Sequence, residues 1–166
     1  MRIDLTMPEV MQAAFVGIMR RVNALKSGWT DRYGSPQNAW NIDIEGCCAE
    51  LVVAKALDVF WQGYSRSPRK LPGDVGQWQV RSTWRENGRL IVHDEDNDAT
   101  VFVLVVGTAP SYRIAGWIRA IDAKKKEFWD SGDGRNAYFV PQSSLNPWSQ
   151  RPVEPVDSEL DNRLSG

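Results

Sequence analysis

Six consecutive apolar residues, Val101-Phe102-Val103-Leu104-Val105-Val106, constrain this chain more than any other feature of its sequence. A short run rich in β-branched side chains predicts a strand, and with no polar position in it that strand belongs in the buried centre of a sheet. It is the longest unbroken aliphatic and aromatic run in the chain. A membrane-spanning helix needs about 20 such residues, so no span is expected. The length of 166 residues predicts one domain. A hydrophobic content of 42% is enough for one core and excludes a mainly disordered chain.

Two helices are expected before the strand. Thr6-Met7-Pro8-Glu9 fits a capping box, with Thr6 as N-cap. Val10, Met11, Ala14, Phe15, Ile18, Met19, Val22 and Leu25 then recur at helical spacing, and Gly28 is the stop. This amphipathic helix is expected to pack on a sheet. A second helix is expected from Asn41 or Asp43 to Leu57, with Ile44, Cys47, Cys48, Leu51 and Val52 as its apolar stripe. Gly46 and Glu50 share another of its faces, and a glycine there suggests close approach of a neighbouring element.

After a loop at 64–73 the pattern changes to strands. Residues 78–84 alternate, with Trp78, Val80, Ser82 and Trp84 pointing one way and Gln79, Arg81 and Thr83 the other. Asn87-Gly88 predicts a hairpin returning along 89–93. Further strands are expected at 111–121 and 137–140, with a short helix or turn at 123–129 between them. From 147 onward the chain is polar and proline-containing, and an extended or loosely ordered tail is expected. The fold class is therefore α/β or α+β: a central mixed β-sheet flanked by helices.

Charge gives no global indication of a partner, because 20 basic residues face 21 acidic ones. Locally, residues 64–89 carry six basic and two acidic side chains, among Trp61, Trp78 and Trp84. Basic residues with interleaved aromatics can hold a phosphate backbone and stack bases, which makes Arg66, Arg69, Lys70 and Arg85 candidate nucleic-acid contacts. Lys124 is a further candidate, against the alternative that 124–126 is a solvated charge run. The adjacent Cys47 and Cys48 suit free thiols in a reducing compartment, so a cytoplasmic location is expected, and with one histidine they lack the spacing of a zinc site. Asp4 and Glu9 interrupt the N-terminus, and no signal peptide is expected. Asp94, Asp96 and Asp98 begin like a calcium loop, but Ala99 and Val105 stand where its glycine and closing glutamate belong.

The chemistry-bearing segment is Gly73-Asp74-Val75-Gly76-Gln77-Trp78-Gln79-Val80-Arg81. An acid in a glycine-flanked turn precedes a strand carrying an amide and a cation on one face, and Glu50 lies on the preceding helix. Each has a plainer reading too: Asp74 as a turn former, Glu50 as a solvated helix residue, and Gln79 and Arg81 as decoration of a sheet face.

The segment resembles the core of the PD-(D/E)XK nuclease-like superfamily, particularly its small phage-type members, over most of residues 40–146. In that family a helix bears a glutamate, an aspartate precedes a strand, and an acid and a lysine stand two apart on the strand. Glu50 and Asp74 match the first two. Gln79 stands at the second acidic position and Arg81 at the lysine position.

The resemblance implies a restriction-endonuclease-like core in a single nuclease-like domain at 1–146, with residues 147–166 as the tail. It implies Mg²⁺ or Mn²⁺ held by Glu50, Asp74 and Gln79, with Arg81 positioning phosphate, in an endo- or exonuclease acting on DNA. Gln79 carries no charge and Arg81 cannot take a proton from water. The alternative is therefore a catalytically decayed nuclease fold that binds nucleic acid or a protein partner.

Overall fold

A computed structural model describes residues 1–28, 38–64, 73–132 and 136–152. Among them the chain is a mixed α+β fold with two sheets and three α-helices. The apolar run forms strand β4 (Val101–Thr108), which is interior to its sheet as expected. Its partners are β5 (Ser111–Arg119), antiparallel, and β2 (Trp78–Thr83), parallel. Strand β1 (Arg2–Asp4) pairs antiparallel with β5 on the far side, giving the order β1-β5-β4-β2. The alternation along β4 divides the interior in two. Val101, Val103 and Val105 join one cluster of buried residues, and Phe102, Leu104 and Val106 join another.

Helices α1 (Met7–Lys26) and α2 (Ala39–Leu57) belong to the first side. Cys47, Cys48, Leu51 and Val52 of α2 pack there with Trp78, Val103 and Val105. On the other side there is no long helix among the described residues. A small sheet of β3 (Leu90–Val92), β7 (Ala137–Val140) and β6 (Trp129–Asp130) lies there, with the short α3 (Ala120–Ala123). Leu90, Val92 and Val140 bury against Phe102 and Leu104. Among the described residues the long helices thus flank the central sheet on one face only.

Four expectations are corrected. The turn at Asn87-Gly88 exists, with the Gly88 N–H donating to the Arg85 carbonyl at 2.8 Å, but the strands beside it do not pair. β2 takes β4 in parallel, and β3 crosses to β7 in the second sheet. A strand as apolar as β4 gains more from covering both faces than a local hairpin would supply.

Helix α1 begins at the expected capping box, but it lies against α2 and not on a sheet. It buries its small-residue side, Ala13 and Gly17, together with Arg21. Met7, Met11, Phe15, Ile18 and Leu25 face solvent. The close approach expected at Gly46 occurs at Gly17 instead: a Cβ there would stand 2.7 Å from Ile44 Cα and 2.8 Å from the Asp43 carbonyl oxygen, whereas one at Gly46 would meet nothing within 4 Å.

Finally, the first residues of the expected tail belong to the interior. Trp148 is 6% exposed and packs on Trp78 with ring centroids 5.0 Å apart. An indole buries a large apolar area, and that burial helps to hold the chain at this point. No helix among the described residues is long and apolar enough to cross a membrane.

The two glycines should respond to alanine with opposite signs. Gly17→Ala gains about 1 kcal/mol in helix propensity but forces backbone apart, and a net loss of about 2 kcal/mol in urea unfolding is expected. Gly46→Ala has only the propensity gain and should stabilise by up to about 1 kcal/mol. Equal effects at the two positions would contradict the packing described.

Candidate functional site

Asp74 is placed by a tight turn. Its N–H and that of Val75 both donate to the Trp78 carbonyl, at 2.8 and 3.1 Å. Gly73 permits this, since a Cβ there would lie 2.6 Å from the same carbonyl oxygen. The turn brings the Asp74 carboxylate alongside β2, the edge strand of its sheet. Oδ2 accepts the Val80 N–H at 2.8 Å and the Gln79 Nε2–H at 2.7 Å. The acid therefore satisfies a backbone donor that an unpaired strand edge would otherwise present.

Glu50 approaches from α2, where it is 5% exposed. Both of its oxygens are engaged by one guanidinium. Arg20 of α1 donates from Nη1 to Oε1, and from Nη2 to Oε2 at 2.8 Å. Trp61 Nε1 also donates to Oε2, at 3.3 Å, and Arg20 Nε donates to the Tyr64 carbonyl at 2.8 Å. This fork-on-fork geometry is the strong form of an ion pair. The sequence does not single out Arg20, and it marks Trp61 only as an aromatic beside the basic segment. Their partner lies 30 and 11 positions away, so no local spacing announces them.

The charges form one group. Burial raises the Glu50 pKa above its ordinary value; Arg20 opposes that, and the charge of Asp74 adds to it. Burial likewise raises Asp74, opposed by the Val80 N–H, Arg81, Arg20 and Gln79. For Arg20, burial works against the cation, but the hydrogen bonds and charge of Glu50 outweigh it and raise the pKa. Two desolvated acids thus share a neighbourhood with two guanidinium groups. Cys47 adjoins this group, and burial pushes its thiol up to about 12, which makes it inert as a nucleophile.

The structure therefore brings Asp74 and Gln79 into direct contact and sets Glu50, Arg20 and Arg81 within electrostatic reach of Asp74. The Arg81 guanidinium lies 5.0 Å from the centroid of the Phe102 ring, on the opposite face of β2 from Trp78 and Val80. The donor set as arranged does not fit Mg²⁺ or Mn²⁺. Such an ion needs several unclaimed oxygens, preferably charged. Here both Glu50 oxygens accept from Arg20, and Gln79 presents its N–H₂ to Asp74. Among the described residues no group of three or more His, Cys, Asp or Glu side chains is placed to hold a metal.

The expected nucleic-acid contacts divide. Arg66, Arg69 and Lys70 lie outside the described residues. Arg85 is exposed, its guanidinium 5.2 Å from the centroid of the Trp84 ring, and Trp84 is itself 69% exposed. Lys124 is corrected. Its Nζ donates to the carbonyls of Asp94 and Asp96 and to Asp98 Oδ1, so it serves the acidic loop and does not stand free for phosphate. The Asp98 hydrogen bond raises its pKa.

Two substitutions probe the charge group. Arg20→Met strands a buried carboxylate and should cost about 3 kcal/mol near neutral pH. Asp74 binds its proton more tightly folded than unfolded. That contribution is complete below the ordinary value of 3.8 and is lost as pH rises through the folded-state value. Asp74→Asn removes it and keeps an oxygen for Val80. The unfolding free energy of the variant relative to the parent should therefore rise as pH climbs from the ordinary value of 3.8 through the folded-state value; a difference that stays flat or falls would mean that Asp74 is not raised. Set against family models, curated proteins and solved structures, the chain matches none.

Proposed function

We propose that the chain is a catalytically silent, nuclease-like module that binds nucleic acid, with a restriction-endonuclease-like core whose ion site is filled by its own donors. One observation carries this reading: the Arg20 guanidinium claims both oxygens of Glu50, beside an Asp74 carboxylate held by the Gln79 amide. In a hydrolytic site those oxygens would bridge a divalent cation that activates water and neutralises the phosphate. Here a tethered cation and a neutral amide take the equivalent places. Neither activates water, and Arg20 repels a second cation.

Binding falls to the C-terminal end of the same strand. Beyond β2, Trp84 presents an indole face to solvent with Arg85 stacked on it. An exposed indole and a guanidinium suit a single-stranded segment, whose bases stack and whose phosphates pair. Double-stranded DNA offers no such free base faces.

The test uses the full-length protein, a fluorescent single-stranded DNA oligonucleotide and MnCl₂. Salt-sensitive DNA binding is expected, weakened about tenfold by Trp84→Ala, with no heat of Mn²⁺ binding and no cleavage. Mn²⁺-dependent cleavage abolished by Asp74→Ala would overturn the proposal in favour of a hydrolase. Absence of DNA affinity at low salt would overturn it in favour of a protein-interaction role.

A further inference from the structure

The outward face of α1 is at odds with a helix that ends at its own surface. Met7, Met11, Phe15 and Leu25 are each at least 60% exposed, with Ile18 at 40%. Met11, Phe15, Ile18, Val22 and Leu25 are spaced by four, three, four and three residues. That is the seam period of a coiled coil, not the broader stripe of a helix lying on a core. The helix already has its intramolecular partner, since its small-residue side is pressed on α2 through Gly17. The apolar seam is therefore additional to what the fold uses.

We infer that this seam is a homodimer interface, in which α1 packs antiparallel against α1 of a second copy. The area supports a second copy. Exposed apolar side chains of this size offer on the order of 600 Å² per protomer, and an isologous pair doubles that to on the order of 1,200 Å², the lower bound of specific interfaces.

The direction follows from register and charge. A two-fold axis between Phe15 and Ile18 sets Phe15 against Ile18 of the other copy and Met11 against Val22, so the seam is self-complementary. Antiparallel packing also opposes the helix dipoles and keeps the two Lys26 side chains at opposite ends; parallel packing would set them side by side. No acid lies in the seam or at the flanking Gln12, Met19 and Lys26. Glu9 of α1 is turned aside by its ion pair with Lys55 of α2, at 2.9 Å.

The interface is tested by the solution mass of the full chain across protein concentration, with variants on the seam. A dimer is expected at micromolar concentration. Phe15→Glu should raise its dissociation constant at least about 100-fold, because each interface would bury two unpaired carboxylates. Its thermal midpoint, measured at a dilution where the parent is monomeric, should stay unchanged, because Phe15 contributes little to the monomer interior. Oxidation of the Met11→Cys/Val22→Cys double variant should give a covalent dimer, and Met11→Cys alone should not. A parent that stays monomeric at about 100 μM, a dimer indifferent to Phe15→Glu, or ready cross-linking of Met11→Cys alone would each overturn the inference.

Discussion

A strand that is apolar at six consecutive positions has no face to give to water, and most of the architecture follows from covering β4 on both sides. The first face takes α2, whose own apolar stripe of Cys47, Cys48, Leu51 and Val52 matches the valines at 101, 103 and 105. The second face takes β3, β7 and α3 around Phe102 and Leu104. The chain must therefore leave the central sheet after β2, cross to the other side and return as β4. A parallel β2–β4 pair is the geometric result, because such a pair cannot be closed by a two-residue turn. Among the described residues the same crossover leaves β2 with one partner strand, and its other edge is where Asp74 and Gln79 meet, with Arg81 in electrostatic reach.

How much of this is legible in the sequence depends on whether the deciding contact is local. The capping box at Thr6 and Glu9 is local, and it forms as expected, with Glu9 accepting the Thr6 N–H. The buried run is local as well, since its composition alone excludes exposure. The turn at Asn87-Gly88 shows that the chain reverses, but turn chemistry does not say which strand the returning segment joins. The pattern along α1 shows where its apolar residues lie but not which side is buried. That is decided by Gly17 and Ala13, whose small size lets two backbones approach, and a periodicity argument that counts only large side chains passes over them.

The candidate site follows the same rule. Asp74 and Gln79 are five residues apart, and a tight turn brings them together, so their contact is written into the segment itself. Glu50 reaches the same neighbourhood because α2 packs on β2, which hydrophobic patterning indicates in outline. Arg20 could not have been found this way. It lies on the first helix, next to Arg21, and each arginine serves a different acid of α2: Arg20 pairs with Glu50 and Arg21 with Asp43. Two adjacent arginines do not say which acids they will meet; only the packing does, and it sets Arg20 on the buried Glu50 and Arg21 on the half-buried Asp43.

A common logic connects the polar sites. At three places among the described residues where oxygens collect, the chain brings its own N–H donor. Arg20 answers Glu50, the Gln79 amide and the Val80 N–H answer Asp74, and the Lys124 ammonium answers the acidic loop at 94–98. For Glu50 and the acidic loop the donor comes from a distant element, and for Asp74 from the strand that follows its turn; each is tethered where a mobile ion could otherwise sit. A tethered donor is already close to its partner when the protein folds, so it does not depend on the ion concentration outside. It also cannot exchange, which removes the Lewis acidity that hydrolysis would draw from a metal. On the proposed reading the two consequences are linked: an arrangement that makes the acids independent of an ion for stability is the same arrangement that denies them an ion for chemistry.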